Sequence, residues 1–374
     1  MAYTTIDNSE EHFQTFGYTG DGTTSAGKTR TFDGNADLKP GIMYQHKFAG
    51  GGNYHNIMEC EFPKGPGWHW LADSGDAKND GITASFDTDG FTHATQNLGG
   101  YYHNESGKSY GIWAWSETGV TESSNTDGTI TSSVRAHPDA GWSIVNWTGT
   151  SADGTIGHGL GAKPDALWMY PIQVAANNGN TQRPMWFIAN TYNHNFNTGL
   201  NENRTESDST NGRIGGYRAN NQGTSSVFSV FTGNSSYEGV NHSSQDYMCI
   251  AWRGVQGFSK FGKYKGNSST DGAFINTGFK PALVICKRLG GNNDFRCFDN
   301  RRDSINLDGG HSSVNLCSNY GAELRDSNTK IDFLSNGFKL RCTHAALNAN
   351  DDYAYAAWAE NPFVTSTGAP TTAR

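Results

Sequence analysis

The sequence is short of what helices and enzymes draw on most. Leu and Lys are scarce and charged residues make up only 17% of the chain, which removes the usual material of amphipathic helices. No apolar run approaches the length of a membrane span, and the opening Met1-Ala2-Tyr3-Thr4-Thr5-Ile6-Asp7 has neither a basic n-region nor an apolar h-region. No membrane contact and no signal peptide is expected, so the chain is expected to be made in the cytoplasm. A formal net charge of −8 leaves no basic patch for neutralising phosphates, which excludes nucleic acid as a direct partner.

The six cysteines (Cys60, Cys249, Cys286, Cys297, Cys317, Cys342) form no C-x-x-C pair, against a zinc site or a redox couple. Several stand among apolar neighbours, as in Leu283-Val284-Ile285-Cys286, and read as small buried hydrophobes. Neither a Gly-x-Ser-x-Gly nor a Cys with a partnered His stands out, and Gly50-Gly51-Gly52 is not followed by the Lys-Ser/Thr of a phosphate loop. Asp87-Thr88-Asp89-Gly90 begins like a calcium loop but has no acidic residue at the twelfth position, so a turn is the better reading. No catalytic residue, no metal and no cofactor is expected.

What is present is 47 Gly, 12% aromatic residues and abundant Asn, Ser and Thr. Aromatic and β-branched residues suit half-buried strands, and Gly, Asn, Asp and Ser suit turns. The fold class expected is all-β.

A faint repeat orders the chain. Each copy opens on an aromatic followed by Gly two positions later: Tyr18 and Gly20, Trp147 and Gly149, Tyr264 and Gly266. A Lys-Pro follows, at Pro40, Pro164 and Pro281, each before a short apolar run that reads as a strand core. The proline lacks a donor, which places it at a strand's first residue or at an edge. The first and third copies share Phe86-Asp87-Thr88-Asp89-Gly90-Phe91 and Phe333-Leu334-Ser335-Asn336-Gly337-Phe338, read as type I′ hairpins; the second has Val227-Phe228-Ser229-Val230 there. Each copy closes with Tyr five positions before Trp: Tyr110 and Trp115, Tyr247 and Trp252, Tyr353 and Trp358. Asn104, Asn241 and Asn348 stand just ahead of each Tyr.

These landmarks predict three tandem antiparallel β-sandwich modules, lectin-like or jelly-roll in style, set in a row, with amphipathic strands and Gly/Asn-rich loops. The expected boundaries are an N-terminal arm at 1–17, modules at 18–120, 141–256 and 257–363, a polar linker at 121–140 and a tail at 364–374. Trp115, Trp252 and Trp358 are expected as equivalent core anchors. In Trp68-His69-Trp70, alternation puts both indoles on one strand face, where they would be core if buried or a sugar-stacking platform if exposed. Tyr101 and Tyr102 carry the same ambiguity. Glu59 and Glu61 share a strand face, as a glycosidase's carboxylates can, but read better as a solvent-facing pair.

Read together, the landmarks resemble a family of mostly uncharacterised virion-associated proteins, tail-fibre or decoration-like, of tailed bacteriophages of aquatic bacteria, including cyanobacteria. The resemblance begins in Tyr3-Thr4-Thr5-Ile6-Asp7 and Phe13-Gln14-Thr15. It continues through Gly141-Trp142-Ser143-Ile144-Val145 and Gly157-His158-Gly159-Leu160-Gly161-Ala162-Lys163-Pro164. It is densest in Gly278-Phe279-Lys280-Pro281-Ala282, Asp332-Phe333-Leu334-Ser335-Asn336-Gly337-Phe338 and Ala359-Glu360-Asn361-Pro362-Phe363. It implies a virion structural protein in a fibre, spike or surface decoration, located in the virion, that contacts host surface polysaccharide. Avidity then favours homo-oligomers, trimers above all, and the N-terminal residues Met1 to Phe16 would dock on other virion proteins. The rival expectations are a capsid or tail component without host binding, which would bury Trp68 and Trp70, and a polysaccharide depolymerase.

Overall fold

Runs of aromatic and aliphatic residues punctuated by Gly, Asn and Ser leave the backbone little but strands and turns. A computed structural model of the chain describes residues 4–22, 27–47, 57–71, 77–79, 82–94, 103–172, 185–187, 196–199, 207–208, 223–230, 241–291, 293, 295–301, 306, 311–315 and 326–361.

The first stretch carries β1 (Phe13–Thr19), β2 (Thr29–Arg30), β3 (Pro40–Lys47), β4 (Ile57–Cys60), β5 (Trp68–Leu71), β6 (Ala77–Asn79), β7 (Thr83–Asp87), β8 (Gly90–His93) and β9 (Ser109–Ser116). The second carries β10 (Glu122–Asn125), β11 (Ser132–His137), β12 (Trp142–Thr148), β13 (Gly154–Gly157), β14 (Ala166–Pro171), β15 (Met185–Phe187), β16 (Phe196–Gly199), β17 (Ser207–Asp208), β18 (Val227–Val230) and β19 (Asp246–Trp252). The third carries β20 (Ser259–Lys265), β21 (Phe274–Asn276), β22 (Lys280–Arg288), β23 (Arg296–Asp299), β24 (His311–Asn315), β25 (Asp326–Leu334), β26 (Gly337–Leu340) and β27 (Asp352–Asn361).

The strands assemble into antiparallel sheets that pair into sandwich-like units, and among the described residues none closes into a barrel. The orders are β1-β9-β3-β4-β5-β6, β10-β11-β12-β19-β14-β15-β16-β17 and β20-β27-β22-β23-β24-β25-β26-β21, with smaller sheets β2-β8-β7 and β13-β18. In each large sheet the strand carrying the repeat's Trp lies between the opening strand and the strand of the Lys-Pro: β9 between β1 and β3, β19 between β12 and β14, β27 between β20 and β22. The prolines therefore enter interior strands. Pro40 begins β3, Pro164 precedes β14, and Pro281 sits at a register shift in β22, each a place where a missing donor is tolerated.

One latch explains most of the repeat's spacing. The opening aromatic stacks on the Tyr of the Trp strand, at 4.9 Å for Tyr18 on Tyr110, 5.5 Å for Trp147 on Tyr247 and 4.9 Å for Tyr264 on Tyr353. The Tyr hydroxyl accepts the backbone N–H of the residue after the Asn: Glu105 (3.0 Å), His242 (3.1 Å) and Ala349 (2.7 Å). The Asn side-chain oxygen accepts the backbone N–H of the residue after the Gly: Asp21, Thr150 and Asn267. The Gly is obligatory for close approach, since a Cβ would lie 2.2, 2.1 and 2.0 Å from the carbonyl oxygens of Glu105, His242 and Ala349.

The sheets are not set in a row. One face of the first large sheet packs, through Met43, Ile112 and Ala114, on Phe32, Leu38, Phe86 and Phe91. The second does so through Val145, Leu167, Met169 and Cys249 on Ile156, Phe228 and Val230. In the third, β26 folds back so that Phe338 meets Tyr355 and Tyr264. The opposite faces of all three large sheets converge on one another. Trp115, Trp252 and Trp358 meet at centroid separations of 5.1, 5.1 and 5.2 Å, and Trp168 lies 4.8–6.3 Å from each. All four are buried, and Trp115, Trp252 and Trp358 lie between the large sheets rather than inside separate sandwiches. The central strands β3, β9, β14, β19, β22 and β27 are accordingly buried on both faces, β3 over its whole length, while β20 and β11 alternate.

Polar contacts stitch the same junction. The hydroxyls of Tyr44 and Tyr170 hydrogen-bond, Trp70 Nε1 donates to the Pro171 carbonyl (2.7 Å), and Trp113 Nε1 donates to Asp299 (3.2 Å). Glu117 holds Lys39 (2.8 Å) and Arg135 (2.9 Å) together.

Three further expectations are corrected. The presumed linker 121–140 contains β10 and β11, which add to the edge of β12, because Val134 and the alternating Ser132 have buried positions to fill. The presumed docking arm is, in its described part, occupied by the chain itself: Ile6 and Phe13 join the core, β1 pairs with β9 along its whole length, and the Ser9 hydroxyl donates to the Glu360 carbonyl. The Asp-Gly and Asn-Gly hairpins are not type I′. The two-residue loops are Thr88-Asp89 and Ser335-Asn336, and Gly90 and Gly337 open the return strand, where a Cβ would strike the carbonyls of Arg30 and Ile275. The five described cysteines are free and buried, as read; Cys317 and the tail lie outside the described residues.

Candidate functional site

The first stretch is where the sequence departs most from its repeat, and its side chains depart as well. The cross-strand partners of Met43, Leu167 and Val284 are Glu59, Phe187 and Phe298. The first sandwich thus carries a carboxyl at a register position where the other ladders carry phenylalanine. Glu59 is not half of a solvent-facing pair. It is fully buried, because β4 turns it toward β7 instead of outward. Its Oε2 accepts from Gln45 Nε2 (2.6 Å) and from the Thr83 hydroxyl (2.7 Å), and His69 stands directly across the ladder. Burial pushes the carboxyl up to about 7, opposed by the hydrogen bonds from Thr83 and Gln45 and by the backbone N–H groups of Thr83 and Gly67. Glu61 lies past the strand end and is half-buried.

Trp68 and Trp70 do share a face of β5, but they do not make a platform. Trp70 is buried against Tyr170 at 5.7 Å, with its indole N–H satisfied by Pro171. Trp68 is half-buried and has Lys64 Nζ 5.7 Å above its ring. Tyr101 and Tyr102 lie outside the described residues. Among the described residues no group of three or more His, Cys, Asp or Glu is placed to hold a metal ion.

A second polar cluster went unread in the sequence. Asp299 Oδ2 lies 3.7 Å from His46 Nε2 and accepts from Trp113, while Thr15 donates to Asn300 (2.6 Å) and Arg301 reaches the Thr15 carbonyl and Asp33. These residues come from opposite ends of the chain, and no local spacing could have joined them. They join the first and third large sheets side by side. Hydrogen bonds from Trp113, Thr15 and Arg301 run between the two sheets, which marks a structural seam.

A family model described as a domain of unknown function (DUF7483) matches residues 8–362. The chain belongs to that family. No curated protein and no solved structure matches it. The DUF7483 match takes in all three Trp strands, the linker region that became β10 and β11, and the Glu59 ladder, so the whole convergent assembly corresponds to the family's single unit.

Proposed function

We propose that this DUF7483 protein is a structural component of a phage particle, in a fibre, spike or surface decoration, built as three β-sandwich modules fused about a pseudo-threefold axis. The observation that carries the reading is the meeting of Trp115, Trp252 and Trp358 at nearly equal separations. Equal spacing of equivalent residues is what a symmetric trimer's axis requires, and here one chain supplies all three parts. The association expected of a homotrimer is thus available within a single polypeptide. The resemblance of the repeat landmarks to virion-associated proteins supplies the particle.

Host-glycan contact is the weaker part of the reading, because burial of Trp70 leaves one half-buried indole, Trp68, where stacking needs an open face. A purely structural role fits the buried aromatics better. The test is to raise antibody against the chain and probe purified particles by immuno-electron microscopy and mass spectrometry. Stoichiometric labelling of particles is the expected result; recovery only in the soluble fraction of the lysate overturns the proposal. A glycan array comparing wild type with Trp68→Ala addresses the host-binding part, which is abandoned if neither binds.

A further inference from the structure

Glu59 stands where Phe298 stands in the third sheet, and Phe298, like Glu59, is fully buried. A carboxyl in a phenylalanine's place is tolerated only because several strands are tied to it. Gln45 on β3 and Thr83 on β7 bind its Oε2, and Gln45 Nε2 also reaches the Thr83 hydroxyl at 3.2 Å. One group therefore joins β3, β4 and β7.

The titratable or charged groups facing it, among the described residues, are Lys47 on β3, His69 on β5, His93 on β8, Tyr18 on β1 and Tyr110 on β9. The cations in reach of this sandwich are engaged elsewhere, Lys47 with Glu105 and Arg30 with Asn104 and the face of Tyr18. Glu59 makes no ion pair with a described residue. Its negative charge would have only hydrogen bonds to hold it, and an ionised carboxylate sealed from water without a cation is expensive.

We propose that Glu59 is a proton-operated latch: protonated, it closes β4 of the first sandwich against β3 and β7; ionised, it admits water and loosens β4, and with it β5 alongside, from those strands. The inference concerns this chain's own conformational equilibrium and stands whether or not the protein belongs to a phage particle.

Hydrogen exchange read by mass spectrometry tests it on the intact chain, from about pH 5 to about pH 9, after correction for the intrinsic pH dependence of exchange. In wild type, protection over residues 57–71 and 82–87 should fall roughly tenfold per pH unit as pH rises toward about 7 and level off above it. Over 166–171 and 280–288 it should not change. Glu59→Gln should keep 57–71 protected throughout. Glu59→Phe, which restores the residue of the other ladders, serves as a second variant without a titrating group. Protection at 57–71 that ignores pH in wild type, or that falls as steeply in the variants, overturns the latch.

Discussion

Replacing Trp358 by alanine puts a number on the convergent core. Trp358 is fully buried, with Trp115, Trp252, Phe261, Trp168 and Phe13 at centroid separations of 5.1, 5.2, 5.5, 5.8 and 6.2 Å. A buried Trp→Ala change costs about 3–5 kcal/mol, the upper end applying where neighbours cannot collapse into the cavity. Rings held from three sheets cannot all move inward, so about 4.5 kcal/mol is expected. The indole N–H has no hydrogen-bond partner among the described residues, so no broken hydrogen bond is counted in that cost. How the loss appears on heating separates a fused assembly from beads on a string. If all 374 residues unfold together, at about 2.1 cal/mol/K per residue, 4.5 kcal/mol lowers Tm by about 6 °C. If only a stretch of about 105 residues around Trp358 unfolds as a unit, the same loss lowers that unit's Tm by about 20 °C and leaves the remainder untouched. Differential scanning calorimetry should give one transition, displaced by about 6 °C as a whole. Separate transitions, of which Trp358→Ala moves one, would refute the shared core, and an unchanged Tm would refute the anchor itself.

Three further outcomes are expected. Asn348→Ala should destabilise by about 3 kcal/mol in urea titration, because Asn348 is buried and its side chain bonds Asn267, Ser269 and Cys342, whose backbone groups would be left unsatisfied; a loss under 1 kcal/mol, within the range of an ordinary surface change, would count against the latch of the repeat. Gly266→Ala should cost about 2–3 kcal/mol, since its Cβ would fall 2.0 Å from the Ala349 carbonyl oxygen and the backbone must shift; unfolding at the wild-type denaturant midpoint would contradict it. For Glu59, the folded carboxyl near 7 keeps a proton that the unfolded chain loses near 4.5, so wild-type stability falls as pH rises through that window, by about 3 kcal/mol in all. His93 and His137, both held near 4 chiefly by burial, act oppositely, their contribution being lost as pH falls below about 6.5. The difference between Glu59→Gln and wild type isolates the carboxyl. It should grow with pH from near zero to about 3 kcal/mol, and a flat difference would be incompatible with a buried neutral acid.

Much of the fold could be read because the repeat is itself a set of contacts. The aromatic, the Gly, the Asn and the Tyr-to-Trp spacing recur together because they form one latch, each needing the others at fixed offsets. The convergence could have been suspected from the same text. Ala166-Leu167-Trp168-Met169-Tyr170 and Leu283-Val284-Ile285-Cys286 are unbroken apolar runs, and an unbroken run marks a strand buried on both faces. Other features left no trace. Glu122-Ser123-Ser124-Asn125 has linker chemistry because β10 is a solvent-exposed edge, and exposed edges and linkers favour the same polar residues. Glu59 alternates with Met58 and Cys60 as a surface residue would, and only the position of β7 seals it. The Asp299–His46 seam depends on chain ends meeting, which no local pattern encodes.

On the proposed reading of three related parts fused in one chain, each part is released from copying the others. In an assembly of identical subunits, any change near the axis is made three times, so a buried charge tolerable once would be incurred threefold. Here the positions four residues beyond Ile42, Ala166 and Leu283, which pair with the three tryptophans, hold His46, Tyr170 and Lys287, all buried. A lineage bound to exact symmetry could not have tried an imidazole, a phenol and an amine at one site at the same time.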